Sequence, residues 1–206
     1  MAEIRFVHFT DPHLFDAEDR MVENEEALQW CIDRVNESVL AGKRYAFVTV
    51  TGDLGLEKLS PAKDDPRVKA PAAVAEAAQK LGRRIASSKV PLWLFVPGNN
   101  DLVEEDPATI GIYREFIQAL AGQAPGITIK DLCPRRGDPR SGYHDVDDGD
   151  NRCRFIGFNN ASFKSNDIEK NATDFAPTQL EHIAEVSMLL DQESDYQSAW
   201  IFYHIA

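Results

Sequence analysis

The sequence predicts an α/β fold, and two observations support this class. In the first half, strand-like runs alternate with segments of helical periodicity. In the second half, short strand-like runs are separated by turn-rich segments, and one helix and one strand follow them. The order β-α-β-α-β, then hairpins, then α-β, predicts a mixed sheet or two stacked sheets covered by helices. The chain has neither an internal repeat nor a linker-like segment, so we expect residues 1–206 to form a single domain.

Three strands are predicted in the first half from runs of apolar, β-branched and aromatic residues. They cover residues 4–10, 45–51 and 90–96. The first run is mostly apolar, which is typical of a strand covered on both faces. Apolar residues at helical spacing predict three helices. These cover residues 27–39, 74–85 and 109–120, and polar segments 16–24 and 57–71 are expected to be loops.

The second half predicts shorter elements. Residues 127–132, 142–146 and 152–158 have the composition of short strands, and turn-rich segments join them. Such strand–turn–strand spacing predicts antiparallel pairing. A helix over residues 178–190 then precedes a last strand over residues 199–203.

Composition restricts the functional classes. The net charge of −12 argues against nucleic-acid binding, because affinity for a phosphate backbone needs clustered Lys and Arg. It is compatible with a small phosphorylated substrate, since bound dications would invert the local potential. The cysteines, Cys31, Cys133 and Cys153, share no CxxC spacing, so we expect a reduced cytoplasmic protein. We expect no membrane span, because no apolar stretch approaches the necessary length.

Residues suited to metal binding follow four of the predicted strands. They are Asp11-Pro12-His13, Gly52-Asp53, Gly98-Asn99-Asn100-Asp101 and His204. In an open α/β sheet, ligands gather outside the carboxyl ends of the strands. Carboxylates, imidazoles and an amide oxygen that converge there suit divalent metal ions. Each segment alone is also explained as a turn or a helix cap, so the metal hypothesis depends on all of them meeting in one pocket.

The joint pattern resembles the calcineurin-like metallophosphoesterase superfamily, whose motifs run D-x-H, G-D, G-N-H-D/E, H and G-H-x-H. The resemblance covers nearly the whole chain and implies two stacked mixed β-sheets flanked by helices, a four-layer sandwich. It also implies that Asp11 and His13 bind a first metal ion and that Asp53 bridges it to a second. Asn99 and His204 would bind the second ion.

The activity that this resemblance implies is metal-dependent hydrolysis of phosphoric esters, in which a hydroxide held between two metal ions attacks phosphorus. Mixed nitrogen and oxygen ligands leave Mn, Fe and Zn open as the metals. The substrate class extends from phosphomonoesters and cyclic nucleotides to phospholipid headgroups and polyphosphate. A nuclease of the same superfamily is disfavoured by the acidic composition.

The third motif departs from the superfamily pattern. Asn100 stands where the superfamily usually has a catalytic His, and Asp101 is the acid that often pairs with that His. Asn donates a hydrogen bond but carries no proton, so general-acid help would be lost. G-N-N-D also resembles the acid-sphingomyelinase-like and endopolyphosphatase-like branches. We therefore assign Asn100 and Asp101 to the catalytic positions and do not expect Asn100 to abolish activity.

The last motif, G-H-x-H, is absent, because no His follows His204. We therefore expect the chain to be a fragment of a longer phosphoesterase, with weak metal affinity and little activity of its own. The rival hypothesis is a non-catalytic phosphoesterase-like domain that binds a ligand or partner through the same cleft. The loss of the usual His at Asn100 and of the last motif favours this rival.

Overall fold

The computed structural model describes residues 4–15, 18–59, 71–98, 101, 107–133, 142–147, 152–158, 177–191 and 196–204. Within these residues the protein is an α/β protein with four α-helices and two sheets. The strands are β1 (Phe6–Thr10), β2 (Phe47–Thr51), β3 (Leu92–Val96), β4 (Thr128–Asp131), β5 (Tyr143–Asp147), β6 (Arg152–Gly157) and β7 (Ser198–Phe202). The helices are α1 (Glu18–Leu40), α2 (Pro71–Ile85), α3 (Pro107–Gln123) and α4 (Pro177–Asp191), and a short 3-10 helix covers Leu56–Leu59.

The first sheet is entirely parallel, with the strand order β1-β2-β3-β4. Helices α1, α2 and α3 each follow one strand and precede the next, as parallel neighbours require. The predicted antiparallel pairing of residues 127–132 with the following strands is therefore wrong. Because α3 forms a crossover, it returns the chain to the open edge of β3, where β4 pairs in parallel.

Alternate residues of β2 and β3 enter two different hydrophobic clusters, as the two-residue period of a strand requires. Val48, Val50, Trp93 and Phe95 pack with apolar side chains of the three helices. On the opposite face, Phe47, Leu94 and Val96 pack with side chains of the second sheet. The central strands are thus buried on both faces, which explains their continuous apolar sequence.

The second sheet is mixed and has the order β5-β6-β7. Strands β5 and β6 are antiparallel, as predicted, whereas β6 and β7 are parallel. Phe155 of β6 meets Phe47 of the first sheet with ring centroids 4.6 Å apart. On the other face of β6, Ile156 packs with Val186 and Leu189 of α4.

Three predictions about individual elements need correction. Helix α1 begins at Glu18, inside the segment predicted as a polar loop. The polar and acidic residues there are adequate helix formers, and they carry no apolar periodicity that would have marked the start of the helix. Strand β1 is covered on both faces only in part. Phe6 packs in the cluster between the sheets, and Val7 and Phe9 pack in the cluster with the helices, but His8 and Thr10 are exposed. The expectation of two mixed sheets holds for the second sheet alone, since the first is parallel throughout.

The remaining predicted helices and strands are present, with ends displaced by a few residues. Most of the predicted loop 57–71 lies outside the described residues, and Pro71 is the first residue of α2. Among the helices that the structure describes, none combines the length and the apolar composition needed to cross a membrane.

Candidate metal centre

Strands β1 and β2 deliver their following residues to the same edge of the first sheet. Their last residues, Thr10 and Thr51, are direct partners in the parallel register, and Thr51 is in turn the partner of Val96 in β3. The carboxyl ends of these three strands are therefore level. Asp11 and Asp53, one and two residues further on, consequently lie side by side.

The loop after β1 has an uncommon backbone conformation. Asp11 and His13 both have positive φ angles, 52° and 43°. Such conformations cost of order 1–3 kcal/mol each for non-glycine residues and persist only where other contacts hold them. Here the N–H groups of three loop residues donate to carbonyl oxygens at the end of β2 and in the turn that follows it. The bonds run from Asp11 N to Thr51 O (3.2 Å), from His13 N to Asp53 O (2.8 Å) and from Phe15 N to Leu54 O (3.0 Å).

This loop conformation brings three predicted ligands together. One ligand atom each from Asp11, His13 and Asp53 lies within 4.8 Å of the other two. The pocket is graded in exposure, because Asp11 is exposed, His13 is half-buried and Asp53 is buried. Two carboxylates and an imidazole at this spacing are a donor set that first-row divalent metals accept.

His204 reaches the same pocket from the second sheet, directly after β7. Its Nδ1 lies 3.3 Å from Asp11 Oδ1, and its Nε2 lies 3.5 Å from Asp53 Oδ1. Residue 52 must be glycine for this approach, because a Cβ there would overlap the imidazole ring of His204. Gly52 also has φ = 85°, a conformation that glycine adopts without strain.

The carboxylates beside His204 change its protonation. A hydrogen bond with Asp53 raises the pKa of His204, and the negative charges of Asp53 and Asp11 act in the same direction. Burial opposes this effect without cancelling it. The two carboxylates therefore stabilise the protonated form of His204, whereas a metal ion would need the neutral imidazole.

Asp101 lies next to the pocket but is directed at backbone amides. Its Oδ1 accepts hydrogen bonds from the N–H groups of Leu54 and Gly55, and its Oδ2 accepts one from Gly98. Burial raises the pKa of Asp101 to about 6, and the nearby charge of Asp53 adds to the rise, although the backbone N–H donors lower it. The carboxylate is 2 % exposed.

The structure thus brings together four predicted site residues, Asp11, His13, Asp53 and His204. Their role as ligands stays a prediction. Asn99 and Asn100 lie outside the described residues, so the predicted ligand and the predicted catalytic amide have no geometry here. The catalytic assignment of Asp101 is likewise untested, but its oxygens face the loop amides.

Two hydroxyl groups near the pocket, those of Thr10 and Thr51, were not identified from the sequence. Thr10 Oγ1 donates a hydrogen bond to Asp11 Oδ2, so the first carboxylate is oriented from its own strand. His8 Nε2 of β1 and Thr51 Oγ1 of β2 lie 2.6 Å apart. The alternation along β1, which places His8 and Thr10 on one face, is the signal that could have indicated both contacts.

The sequence matches no protein-family model, and a search of curated proteins returns no match. The superfamily resemblance therefore rests on the order of the motifs in the sequence.

Proposed function

We propose that this protein is a metal-dependent hydrolase of phosphoric esters, of the calcineurin-like metallophosphoesterase type, that works with two metal ions. One observation carries the proposal: Asp11, His13 and Asp53 offer ligand atoms within 4.8 Å of one another, and His204 joins them from a second sheet. Each of these residues follows a strand, in the order that the superfamily motifs require.

The layers of the fold support the same proposal. Helices α1 to α3 pack on one face of the first sheet, and the second sheet packs on the other. Helix α4 then packs on the outer face of the second sheet. This order of layers supports the proposal that the fold is the four-layer sandwich implied by the superfamily resemblance.

The donor set fits metal ions of the first transition row. Carboxylate oxygen and imidazole nitrogen bind Mn, Fe and Zn alike, so the ligands leave the choice among these metals open. When bound, the metals would supply Lewis-acid stabilisation of charge and a water acidic enough to ionise near neutral pH. The buried Asp53 has two oxygens and would bridge two ions, and His204 would bind the second ion.

The electrostatics of the pocket explain why cations are needed for a phosphorylated substrate. Asp11, Asp53 and Asp101 place several negative charges close to one another in a chain of net charge −12. A phosphate group would be repelled by this arrangement unless cations reverse the local potential. Asp11 is the exposed member, so we expect the substrate to approach from its side. The cytoplasmic location expected from the cysteines stays a prediction.

The test combines metal binding with hydrolysis. Isothermal titration with Mn²⁺ at high protein concentration should show weak but measurable binding to the wild-type chain and no measurable binding to Asp53→Asn, because this substitution removes a direct ligand and not a residue that only orients one. Hydrolysis of p-nitrophenyl phosphate and of bis-p-nitrophenyl phosphate by this chain is expected to be slow and should depend on added Mn²⁺. Glu76→Gln, an exposed substitution on α2, is the control and should bind Mn²⁺ like the wild type. No detectable Mn²⁺ binding by the wild-type chain would sink the proposal.

A second candidate function is a non-catalytic binding module built on the same pocket. The observation in its favour is Asn100, where the superfamily usually has a His that assists the leaving group. The same experiments separate the two functions. A binding module would take up Mn²⁺ and inorganic phosphate but turn over neither ester.

A further inference from the structure

The segment from Thr51 to Leu56 lies in the middle of the candidate metal centre and is held from two sides. On the side of β1, its carbonyl oxygens accept hydrogen bonds from the N–H groups of Asp11, His13 and Phe15. On the side of β3, the N–H of Gly52 donates to the carbonyl oxygen of Val96 at 3.0 Å. Further along the segment, the N–H groups of Leu54, Gly55 and Leu56 donate to a side chain.

That side chain is Asp101. Its Oδ1 accepts hydrogen bonds from three consecutive N–H groups. These belong to Leu54 (2.9 Å), Gly55 (3.0 Å) and Leu56 (3.3 Å). Its Oδ2 accepts a fourth from Gly98 at 3.0 Å, in the turn after β3. One carboxylate thus joins the turn after β2 to the turn after β3.

The two turns are also in direct contact. A Cβ at Gly98 would overlap the backbone nitrogen and the Oδ1 atom of Asp53. The turn after β3 therefore packs directly against the Asp53 carboxylate, so we expect a separation of the turns to remove part of its support. Since Asp53 is the residue that faces both His13 and His204, its position decides whether the ligand atoms meet.

We propose that Asp101 is a positioning residue of the metal centre, which fixes the Asp53 carboxylate by binding the turns on either side of it; this inference rests on the proposed function. Asp101 is not a catalytic residue in this assignment, because its buried oxygens are occupied by backbone donors and face away from solvent. It replaces the earlier expectation that Asp101 takes part in the chemistry beside Asn100.

An amide at this position cannot do the same. In Asp101→Asn one oxygen becomes an NH₂ group, which would meet either the Gly98 donor or the three donors of the Leu54–Leu56 segment. A donor facing a donor leaves both buried groups without an acceptor, so the turns should separate. Asp131→Asn is a matched control. Asp131 is also a buried carboxylate, lies at the end of β4 and accepts a backbone N–H from Cys133 at 2.7 Å. Strand β4 is separated by β3 from β2, which the Asp53 turn follows.

The experiment measures Mn²⁺ affinity by calorimetry and backbone amide exchange by NMR for the wild type, Asp101→Asn and Asp131→Asn. We expect Asp101→Asn to bind Mn²⁺ about 10–100-fold more weakly, the range typical of residues that orient ligands. The amides of Leu54, Gly55 and Gly98 should exchange faster in this variant, with or without metal. Asp131→Asn should bind Mn²⁺ within about twofold of the wild type.

Activity at saturating Mn²⁺ separates positioning from catalysis. A positioning residue acts through metal occupancy, so excess Mn²⁺ should restore kcat in Asp101→Asn, whereas loss of a catalytic group would lower kcat at every Mn²⁺ concentration. If Asp101→Asn does not fold, Asp101→Glu replaces it. Glu keeps the charge but is one methylene longer, and we expect the same changes at smaller amplitude.

The outcomes distinguish this inference from the proposed function. Unchanged Mn²⁺ affinity and unchanged amide exchange in the Asp101 variant would overturn the inference and leave the proposed function standing. A wild-type chain that binds no Mn²⁺ would overturn the proposed function and, with it, the metal-positioning role. Faster exchange at Leu54 and Gly55 with unchanged affinity would reduce Asp101 to a structural residue and also overturn the inference.

Discussion

His204 and Asp53 face each other from different sheets, with His204 Nε2 3.5 Å from Asp53 Oδ1. Asp53 follows β2 of the first sheet, and His204 follows β7 of the second. The packing of Phe47, Phe155 and Phe202 between the sheets therefore sets the distance between these two side chains. The candidate metal centre is thus a product of how the two sheets pack.

The close approach of His204 to Gly52 predicts a severe effect of Gly52→Ala. The added Cβ would overlap the imidazole, so His204 must move and Mn²⁺ affinity should fall below detection by calorimetry. Gly42→Ala is a matched control. Gly42 has nearly the same positive φ, 89° against 85°, but open space around the missing Cβ. We expect Gly42→Ala to cost about 1–2 kcal/mol of unfolding free energy in urea, from backbone strain alone. Its Mn²⁺ affinity should be that of the wild type, and equal Mn²⁺ binding by the two variants would contradict the prediction.

The raised pKa of His204 predicts that the metal-free protein is less stable at high pH. A group whose pKa is higher in the folded state stabilises that state fully below its ordinary pKa, 6.5 for His, and loses this contribution as pH rises through the folded value. Urea unfolding from about pH 5.5 to about pH 9, a range that spans the ordinary His pKa, should show this decline in the wild type and a smaller one in His204→Gln.

Metal binding should show the opposite dependence on pH. Because a metal ion binds the neutral imidazole, Mn²⁺ affinity should rise as His204 loses its proton. His144→Gln is the control, because burial lowers the pKa of His144 below the ordinary His value, whereas the pKa of His204 is raised above it. That variant should keep the rise in Mn²⁺ affinity, and a pH-independent affinity in the wild type would argue against His204 as a ligand.

The ion pair within the second sheet predicts a large stability effect away from the metal centre. Arg154, which is 3 % exposed at its side chain, donates from Nε and Nη2 to Asp145 at 2.8 and 2.9 Å. Asp145→Asn would leave this guanidinium buried without its counter-charge, which typically costs about 3–5 kcal/mol. Arg152 also contacts Asp145, at 3.2 Å, but it is more exposed, so Arg152→Ala should cost at most about 1 kcal/mol. Urea unfolding measures both, and similar losses in the two variants would contradict the argument.

Asn100 provides a test of leaving-group chemistry that rests on the sequence motif alone. If Asn100 replaces a general acid, Asn100→His should increase turnover of alkyl phosphates, which have poor leaving groups, by about two to four decades. Turnover of p-nitrophenyl phosphate, whose leaving group needs little protonation, should change far less. Equal effects on both substrates in Mn²⁺-dependent assays would exclude this role for position 100.

Several features followed from the sequence because they are local. The apolar runs of β2 and β3 and the helical spacing of α2 depend on neighbouring residues and on burial, so their periodicity identified them. The placement of Asp11 and Asp53 after strands, and hence at one edge of a parallel sheet, could also be predicted. The start of α1 could not be predicted, because the sequence of its first turn is polar and carries no apolar pattern.

Only the tertiary structure decided how β4 pairs and which groups bind the Asp101 side chain. The sequence of β4 has no feature that distinguishes a parallel edge strand from a hairpin strand, and packing of α3 settled its place. The hydrogen bonds that the N–H groups of Leu54 and Gly55 donate to Asp101 join residues far apart in the chain. Nothing in the G-N-N-D motif indicates these hydrogen bonds. Periodicity in the sequence predicts which face of a helix or strand is buried. The contacts between loops depend instead on the distance and register of elements that are far apart in the sequence, so they cannot be predicted from periodicity.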